Sequence, residues 1–215
     1  MSILVDSETK VIVQGLTGGQ GRFYGLRNRA YGTKVVGGVS PKKAGTDVDG
    51  IPVFASVKDA VTETGATATM VIVPAPAALD AVIEAAEAGL ALIVVVTEGI
   101  PMHDEATFYN RVQRDFPASR ILGPNCPGLL TPGECNIGFI PAEVAKAGGP
   151  VGIVSRSGTL TYQALNELAE KGIGVTTCVG NGGDPVPGTS FIDCLELFEA
   201  DPETKAVIMF GEIGG

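Results

Sequence analysis

The sequence predicts an α/β protein built from two doubly wound units in succession. Three observations predict it: short apolar runs alternate with amphipathic segments, a glycine-rich turn follows the first apolar run, and the same pattern starts again near residue 150. The 215-residue chain is 45% hydrophobic and 18% charged, so it can bury a substantial core. Its 30 glycines and 14 prolines fit many turns between short elements.

The first unit is expected over residues 1–125. Apolar runs predict strands at 10–14, 34–39, 68–73, 92–96 and 120–123, and helical periodicity predicts helices at 21–30, 56–62, 77–88 and 104–116. Ser56 is a suitable helix cap and Gly89 a suitable helix stop. Alternating strands and helices imply parallel pairing with right-handed crossovers, so the strands form one sheet covered on both faces.

A connecting segment is expected at residues 126–149. Its first part is rich in proline and glycine, which exclude a helix and disfavour a central strand. The second unit, 150–215, then shows strands at 151–154, 175–179 and 206–210 and helices at 159–170 and 191–199. An open α/β sheet of the flavodoxin type usually has about five strands, so this unit is predicted to be incomplete, with an open edge at 206–210.

Charge and hydropathy disfavour two classes of partner. The formal net charge is −9 and the longest basic run is Lys42-Lys43, so the electrostatic field repels nucleic acid and anionic membranes. The longest apolar run, 90–96, is too short to cross a bilayer. The N-terminal residues do not resemble a signal peptide. We therefore expect a cytoplasmic protein without nucleic-acid or membrane partners.

The cysteines and the histidine give no metal-binding pattern. Cys126, Cys135, Cys178 and Cys194 form no CxxC pair, and they are expected to be small, reduced, buried residues. His103 stands alone in a Pro-Met-His-Asp run and is expected at the surface where a helix begins. No metal site is expected from His and Cys clusters.

The glycine-rich turn after the first strand predicts an anion site. Gly15, Gly18 and Gly21 lie between a strand and a helix start, where free backbone N–H groups and the helix dipole favour a phosphate. An NAD site would need an acidic residue about 20 residues further on, after the second strand. Lys42 and Lys43 stand there instead. These cations suit the 3′-phosphate of coenzyme A (CoA) or the 2′-phosphate of NADP.

Polar residues at other strand ends extend this site, and a second turn repeats it. Thr97 and Glu98 follow the most buried predicted strand, and residues 73–76 follow its neighbour, where ligands of open parallel sheets bind. Residues 155–159 again combine strand, turn and helix start, with Ser157 as cap or anion ligand. A GxSxG elbow and a histidine partner for Ser157 are missing, which disfavours a serine hydrolase. Two anion sites favour transfer between two phosphorylated species.

Several longer motifs carry a family resemblance. They are GLTGGQG (15–21), VPAP (73–76), TEGIP (97–101), GPNCPG (123–128), SRSGTLTY (155–162) and GEIGG (211–215). Together, and in this order, they resemble the alpha subunit of succinate-CoA ligase (succinyl-CoA synthetase), a tricarboxylic acid cycle enzyme. The resemblance implies a Rossmann-like CoA-binding domain and a flavodoxin-like ligase domain. It also implies a beta-subunit partner with an ATP-grasp site for ATP or GTP with Mg²⁺.

The resemblance also implies roles for particular residues. In the family a histidine of the alpha subunit is phosphorylated, the phosphoryl group passes to succinate, and the CoA thiol attacks the acyl phosphate. Ser157 and Gly158 would hold the phosphate, Tyr162 would lie near the carboxylate substrate, and Glu212 would orient the histidine. The CoA contacts carried over by motif are Thr17, Gly18, Gly19, Gln20, Lys43, Val96, Thr97 and Glu98.

One departure from the family sets the expected activity. The phosphorylated histidine of the family follows the GEIGG motif, where this sequence stops, and His103 lies in a different motif. The chain alone is therefore expected to be inactive. The alternatives are a non-catalytic CoA-binding protein, a related ligase subunit for malate or citrate, and an NADP-dependent oxidoreductase.

Overall fold

The glycine-rich turn follows the central strand of the first sheet. The structure, a computed structural model, describes residues 2–212. Seven strands form this sheet: β1 (Lys10–Gln14), β2 (Lys34–Val39), β3 (Asp47–Val48), β4 (Ile51–Phe54), β5 (Ala68–Val71), β6 (Leu92–Val95) and β7 (Arg120–Leu122). The helices between them are α1 (Gly19–Tyr31), α2 (Val57–Thr64), α3 (Ala78–Glu87) and α4 (Met102–Asp115).

The strand order of this sheet creates a crevice. The order is β3-β4-β2-β1-β5-β6-β7, and every pair is parallel except β3 with β4. The chain leaves β1 toward β2 on one side and returns to β5 on the other. The order thus reverses between β1 and β5, and ligands of open sheets bind beyond the strand ends at such a point.

Local sequence signals account for most of these elements. The five predicted strands are confirmed, with ends shifted by up to two residues. Ser56 caps α2 by accepting a hydrogen bond from the Asp59 N–H at 3.1 Å, and Gly89 follows α3 with a φ of +80°. Only β3 and β4 were not predicted, because they are short and lie among polar residues.

The second sheet has five strands in the order β12-β10-β11-β8-β9. They are β8 (Gly128–Thr131), β9 (Cys135–Gly138), β10 (Ala147–Ser155), β11 (Val175–Gly180) and β12 (Ala206–Phe210), with helices α5 (Gly158–Glu170) and α6 (Phe191–Ala200). β10 pairs in parallel with β11 and β12, whereas β8 is antiparallel to β11 and β9. β12 lies at one edge, as predicted.

Residues 126–149 are not simply the connecting segment that the sequence predicts. They contain β8 and β9, an antiparallel hairpin whose strand residues are all buried. The prolines do not prevent this pairing, because Pro127 precedes β8 and Pro132 lies in the turn. Gly128 permits the close strand approach, since a Cβ there would lie 1.9 Å from the Ile137 carbonyl oxygen. The domain bounds 1–125 and 150–215 stay a prediction.

One hydrophobic cluster contains residues of both sheets. Its buried members include Val13 of the first sheet and Leu129 and Val154 of the second. The N-terminal segment joins them further, because the Ile3 N–H donates to Thr177 Oγ1 at 3.2 Å. Within residues 2–212, the structure contains no helix of the length and apolar character needed to traverse a bilayer.

Candidate functional site

A cleft of about 820 Å³ opens where the two sheets meet at their strand ends. The turn after β1, the segments after β5 and β6, and the start of α5 contribute its walls. Most of the predicted site residues line it: Gly18, Gly19, Gln20, Val96, Thr97, Glu98, Ser157, Gly158, Tyr162 and Glu212. The fold thus brings the two predicted anion-binding turns to one space.

Glycines fix the shape of the first turn, residues 15–21. Gly15 has a φ of +97°, and a Cβ there would lie 2.8 Å from the Ile72 carbonyl oxygen at the end of β5. A Cβ at Gly21 would lie 2.0 Å from the Gly15 carbonyl oxygen. Both positions therefore exclude larger residues. Gly19 differs, because no atom lies within 4 Å of its added Cβ.

The start of α1 has no side-chain cap. Gly18 is the N-cap residue, and no side chain accepts a hydrogen bond from the first turn of the helix. The first N–H groups of a helix have no partner within the helix, and its dipole is positive at this end. Gly18, Gly19 and Gln20 are exposed at the cleft. This helix start can therefore receive an anion.

Lys43 lies at the rim of the first turn. It is exposed in a short 3₁₀ turn (Pro41–Lys43) after β2, and its Nζ lies 3.5 Å from the Thr17 carbonyl oxygen. Lys43 and Thr17 are not among the lining residues of the cleft itself. The sheet pairing of β1 with β2 nevertheless places the ammonium group beside the predicted anion-binding loop.

The segment after β6 joins the first sheet to the rest of the cleft. Val96 and Thr97 are buried, and Thr97 Oγ1 donates to the Val73 carbonyl oxygen at 2.8 Å. The Thr97 carbonyl oxygen accepts from the Asn125 N–H at 3.0 Å. Glu98 is exposed. Val96 and Thr97 therefore hold the wall in place, and Glu98 presents a carboxylate at the cleft.

The second turn uses serine hydroxyls. Ser155 is fully buried, and its Oγ accepts from the Ser157 N–H at 3.0 Å. Ser157 Oγ in turn accepts from the Leu160 N–H at 3.3 Å and caps α5. Tyr162 lies one helical turn further on, and burial raises the pKa of its hydroxyl, which therefore stays protonated at neutral pH.

Sequence reasoning missed a group of residues that links the segment after β6 to the second turn. Arg156 Nη2 donates to the carbonyl oxygens of Gly183 and Asp184 at 2.9 and 2.8 Å. Asn125, with a φ of +49°, donates through Nδ2 to Asp184 Oδ1 at 2.8 Å. Glu212 lies close by, because a Cβ at Gly183 would be 3.4 Å from its Oε2. The only sequence signal was that Asn125 and Arg156 lie inside motifs already noted.

The cysteines and His103 lie where the sequence places them. All four cysteines are free and buried. Cys126 lines the cleft, and burial raises the pKa of its thiol to about 12, so it is not ionised at neutral pH. The side chain of His103 is 91% exposed on α4. Within residues 2–212, no group of three or more His, Cys, Asp or Glu side chains comes together as metal ligands.

Comparison with known families agrees with this geometry. A CoA binding domain model matches residues 6–99, which contain the first turn, and a CoA-ligase model matches residues 154–215, which begin just before the second. Of the GEIGG motif, residues 213–215 lie outside the described part of the chain. The fold and the cleft therefore define a CoA-ligase subunit with a Rossmann-like first unit.

Curated relatives identify the family more closely. The alpha subunit of ADP-forming succinate-CoA ligase from Aquifex aeolicus is 51% identical over all 215 residues, which span 70% of that relative. Alpha subunit 2 from Archaeoglobus fulgidus is 54% identical, with 74% of its length covered. The Staphylococcus aureus alpha subunit is 52% identical, with 70% covered. The chain belongs to the succinate-CoA ligase alpha-subunit family, a family of ligases.

Solved structures share the fold at low sequence identity. An ATP citrate lyase from Methanothrix soehngenii, in complex with citrate and coenzyme A, superposes with a TM-score of 0.85 at 22% identity. The match covers 97% of this chain and 37% of that chain. A dinucleotide-forming acetyl-coenzyme A synthetase from Ca. Korarchaeum cryptofilum, in complex with phosphate and ADP, gives a TM-score of 0.79 at 24% identity, with 96% and 44% covered. These two likenesses concern the fold.

Proposed function

We propose that this chain binds CoA in the cleft and acts as the alpha subunit in the nucleotide-dependent interconversion of succinate and CoA with succinyl-CoA. The observation that carries the proposal is the placement of an uncapped helix start, that of α1, in the same cleft as the start of α5. A carrier bound at the first turn can thereby present its reactive end to the second.

The first turn is proposed to hold the phosphates of CoA. Thr17, Gly18, Gly19 and Gln20 would offer backbone groups, and Lys43 would bind the 3′-phosphate on the adenosine end. Three residues that follow β6 would line the path of the ligand: Val96, Thr97 and Glu98. The exposed position of Lys43 suits a phosphate that is itself partly open to water.

The second turn is proposed to stabilise a phosphoryl group. Ser157 and Gly158 start α5, whose N-terminal dipole favours an anion, and Tyr162 would lie beside the carboxylate substrate. Glu212 would orient the phosphorylated histidine of the family. His103 is exposed on α4 and is not among the residues lining the cleft, so it is not proposed for this role.

A beta subunit with an ATP-grasp site is the proposed partner. It would supply ATP or GTP with Mg²⁺, and the chain alone is then expected not to complete the reaction. A cytoplasmic location fits the four unpaired, buried thiols, because the cytoplasm keeps cysteines reduced.

Mixing the chain with a beta subunit and measuring succinyl-CoA formation separates a catalytic subunit from a non-catalytic CoA-binding protein. Malate or citrate in place of succinate tests the related ligases.

Titration with CoA, dephospho-CoA and NADP tests the ligand. We expect CoA to bind more tightly than dephospho-CoA, because only CoA carries the 3′-phosphate. NADP binding that is tighter than CoA binding would overturn the proposal. Calorimetry or fluorescence on the purified chain provides the measurement.

The Lys43→Ala variant tests the position of the 3′-phosphate. We expect CoA binding to weaken by about 1 to 2 kcal/mol, about 5- to 30-fold, because a charge-assisted hydrogen bond is lost. Lys42→Ala is the matched control, since Lys42 is also exposed in the same 3₁₀ turn. The loss should disappear when dephospho-CoA is the ligand. An unchanged CoA affinity in Lys43→Ala would place the phosphate elsewhere.

A further inference from the structure

Phe139 brings an aromatic ring into the cleft from the hairpin of the second sheet. It directly follows β9, is half-buried and lines the cleft. Its N–H donates to the Pro127 carbonyl oxygen at 2.8 Å. The preceding residue, Gly138, has a φ of +126°, and a Cβ there would lie 2.4 Å from the same oxygen. The backbone of Phe139 is therefore fixed by close packing against the segment before β8.

The ring of Phe139 is held by Tyr24 of α1. The two ring centroids are 4.2 Å apart, with an angle of 41° between the ring planes, so the rings are in van der Waals contact. Both side chains also pack against the apolar cluster that contains Val13 and Val154. These contacts restrict the rotation of the Phe139 side chain.

Phe139 connects the surroundings of the two turns. Its partner Tyr24 lies three residues after Gly21, the last glycine of the first turn. Its backbone partner Pro127 lies beside the second turn, because a Cβ at Gly158 would be 4.0 Å from the Pro127 Cβ. An aromatic surface therefore lies between the two proposed anion sites.

The chemistry of this part of the cleft suits an uncharged ligand group. Between its diphosphate and its thiol, CoA has an uncharged arm of methylene groups, amides and a geminal dimethyl group. Apolar groups of such an arm gain free energy when an aromatic ring removes them from water. Further apolar residues line the same cleft: Ile72, Val73, Pro74, Ala75 and Val96.

We propose that Phe139 is a binding residue for the uncharged arm of CoA and that Tyr24 is the positioning residue for its ring. This inference rests on the proposed CoA site. A carrier whose phosphates lie at the first turn crosses the ring of Phe139 when its thiol reaches the second turn. The aromatic ring contributes affinity for the arm and none for the phosphates.

Titrations with CoA and with adenosine 3′-phosphate 5′-diphosphate, which lacks the arm, test this inference. We expect Phe139→Ala to weaken CoA binding about 5- to 10-fold and to leave the affinity for the ligand without the arm within about twofold of the parent value. Phe139→Leu should recover most of the CoA affinity, because leucine keeps an apolar side chain there. Comparison of variant with parent for each ligand removes the difference in charge between the two ligands.

Phe23→Ala is the matched control. Phe23 also contacts Tyr24, with ring centroids 5.0 Å apart and an angle of 88°, but it is 61% exposed. Phe23 and Tyr24 are not among the described residues that line the cleft. We therefore expect Phe23→Ala to bind both ligands with parental affinity.

Equal losses for the two ligands in Phe139→Ala would overturn the inference, because the ring would then act on the first turn and not on the arm. Parental CoA affinity in that variant would overturn it as well. If neither ligand binds the parent chain, the proposed function itself fails. Should Phe139→Ala not fold, NMR of the parent chain decides: a nuclear Overhauser effect between the geminal methyl groups of CoA and the ring of Phe139 is expected, and its absence would refute the contact.

Discussion

The two turns of the cleft that we propose as anion sites share one geometry, and they differ in the groups that hydrogen-bond to their N–H groups. Both follow a parallel strand and start a helix. The first has no side-chain cap, and glycines 15 and 21 are packed against backbone. The second is closed by hydroxyls, with Ser157 bound to the Leu160 N–H and Ser155 bound to the Ser157 N–H.

If both turns bind anions as we propose, this difference predicts two modes of binding. The first turn has a rigid shape and amides left open to solvent, as expected for a ligand that stays bound through a reaction. The second already satisfies part of its helix start, and rotation of one serine side chain can release an N–H group for a phosphoryl group that arrives and leaves. Backbone shape sets the first site, and side-chain rotation can adjust the second.

Among these variants, Gly21→Ala should have the largest effect on stability and CoA binding. Its methyl group would lie 2.0 Å from the Gly15 carbonyl oxygen, so the turn must deform. We expect the free energy of unfolding to fall by about 3 kcal/mol or more and CoA binding to be lost. Urea denaturation and CoA titration measure the two effects. A variant with parental stability would show that the turn is not held by this packing.

Gly19→Ala separates binding from folding in the same turn. No atom lies within 4 Å of its added Cβ, and alanine favours helices, so stability should stay equal or rise by up to about 1 kcal/mol. The methyl group enters the space where the ligand would lie, and CoA affinity should fall about 10-fold, or about 1.4 kcal/mol.

Gly158→Ala is the matched control for Gly19→Ala, because it places a methyl group at the first residue of α5, with its nearest neighbour 3.7 Å away. CoA affinity in this variant should remain within about twofold of the parent value. Equal losses in both variants would mean that CoA is not held mainly by the first turn.

Ser157→Ala should have the smallest effect on CoA binding. Loss of the cap should lower the free energy of unfolding by about 1 kcal/mol, with CoA affinity unchanged. Ser190→Ala removes the cap of α6, which is not among the elements lining the cleft, and should cost a similar amount. A cost for Ser190→Ala but none for Ser157→Ala would show that the Ser157 hydroxyl is not committed to its helix.

The sequence was informative where signals are local. Apolar periodicity predicted β1, β2 and β5, and glycine spacing predicted the first turn. It failed for β8 and β9, because prolines flank β8 and disfavour a strand, and because β8 pairs with β11, which lies far away in the chain. The contacts of Asp184 with Asn125 and Arg156 were missed for the same reason, because they join segments that lie far apart in the chain.

The core common to both sheets has a consequence for how the molecule unfolds. Val13, beside the first turn, and Val154, beside the second, belong to one continuous apolar cluster. Heating therefore should not melt one half while the other stays intact, since either half alone would expose the apolar surface that the other covers. The alignment of the two helix starts would then persist up to the temperature of that single cooperative transition.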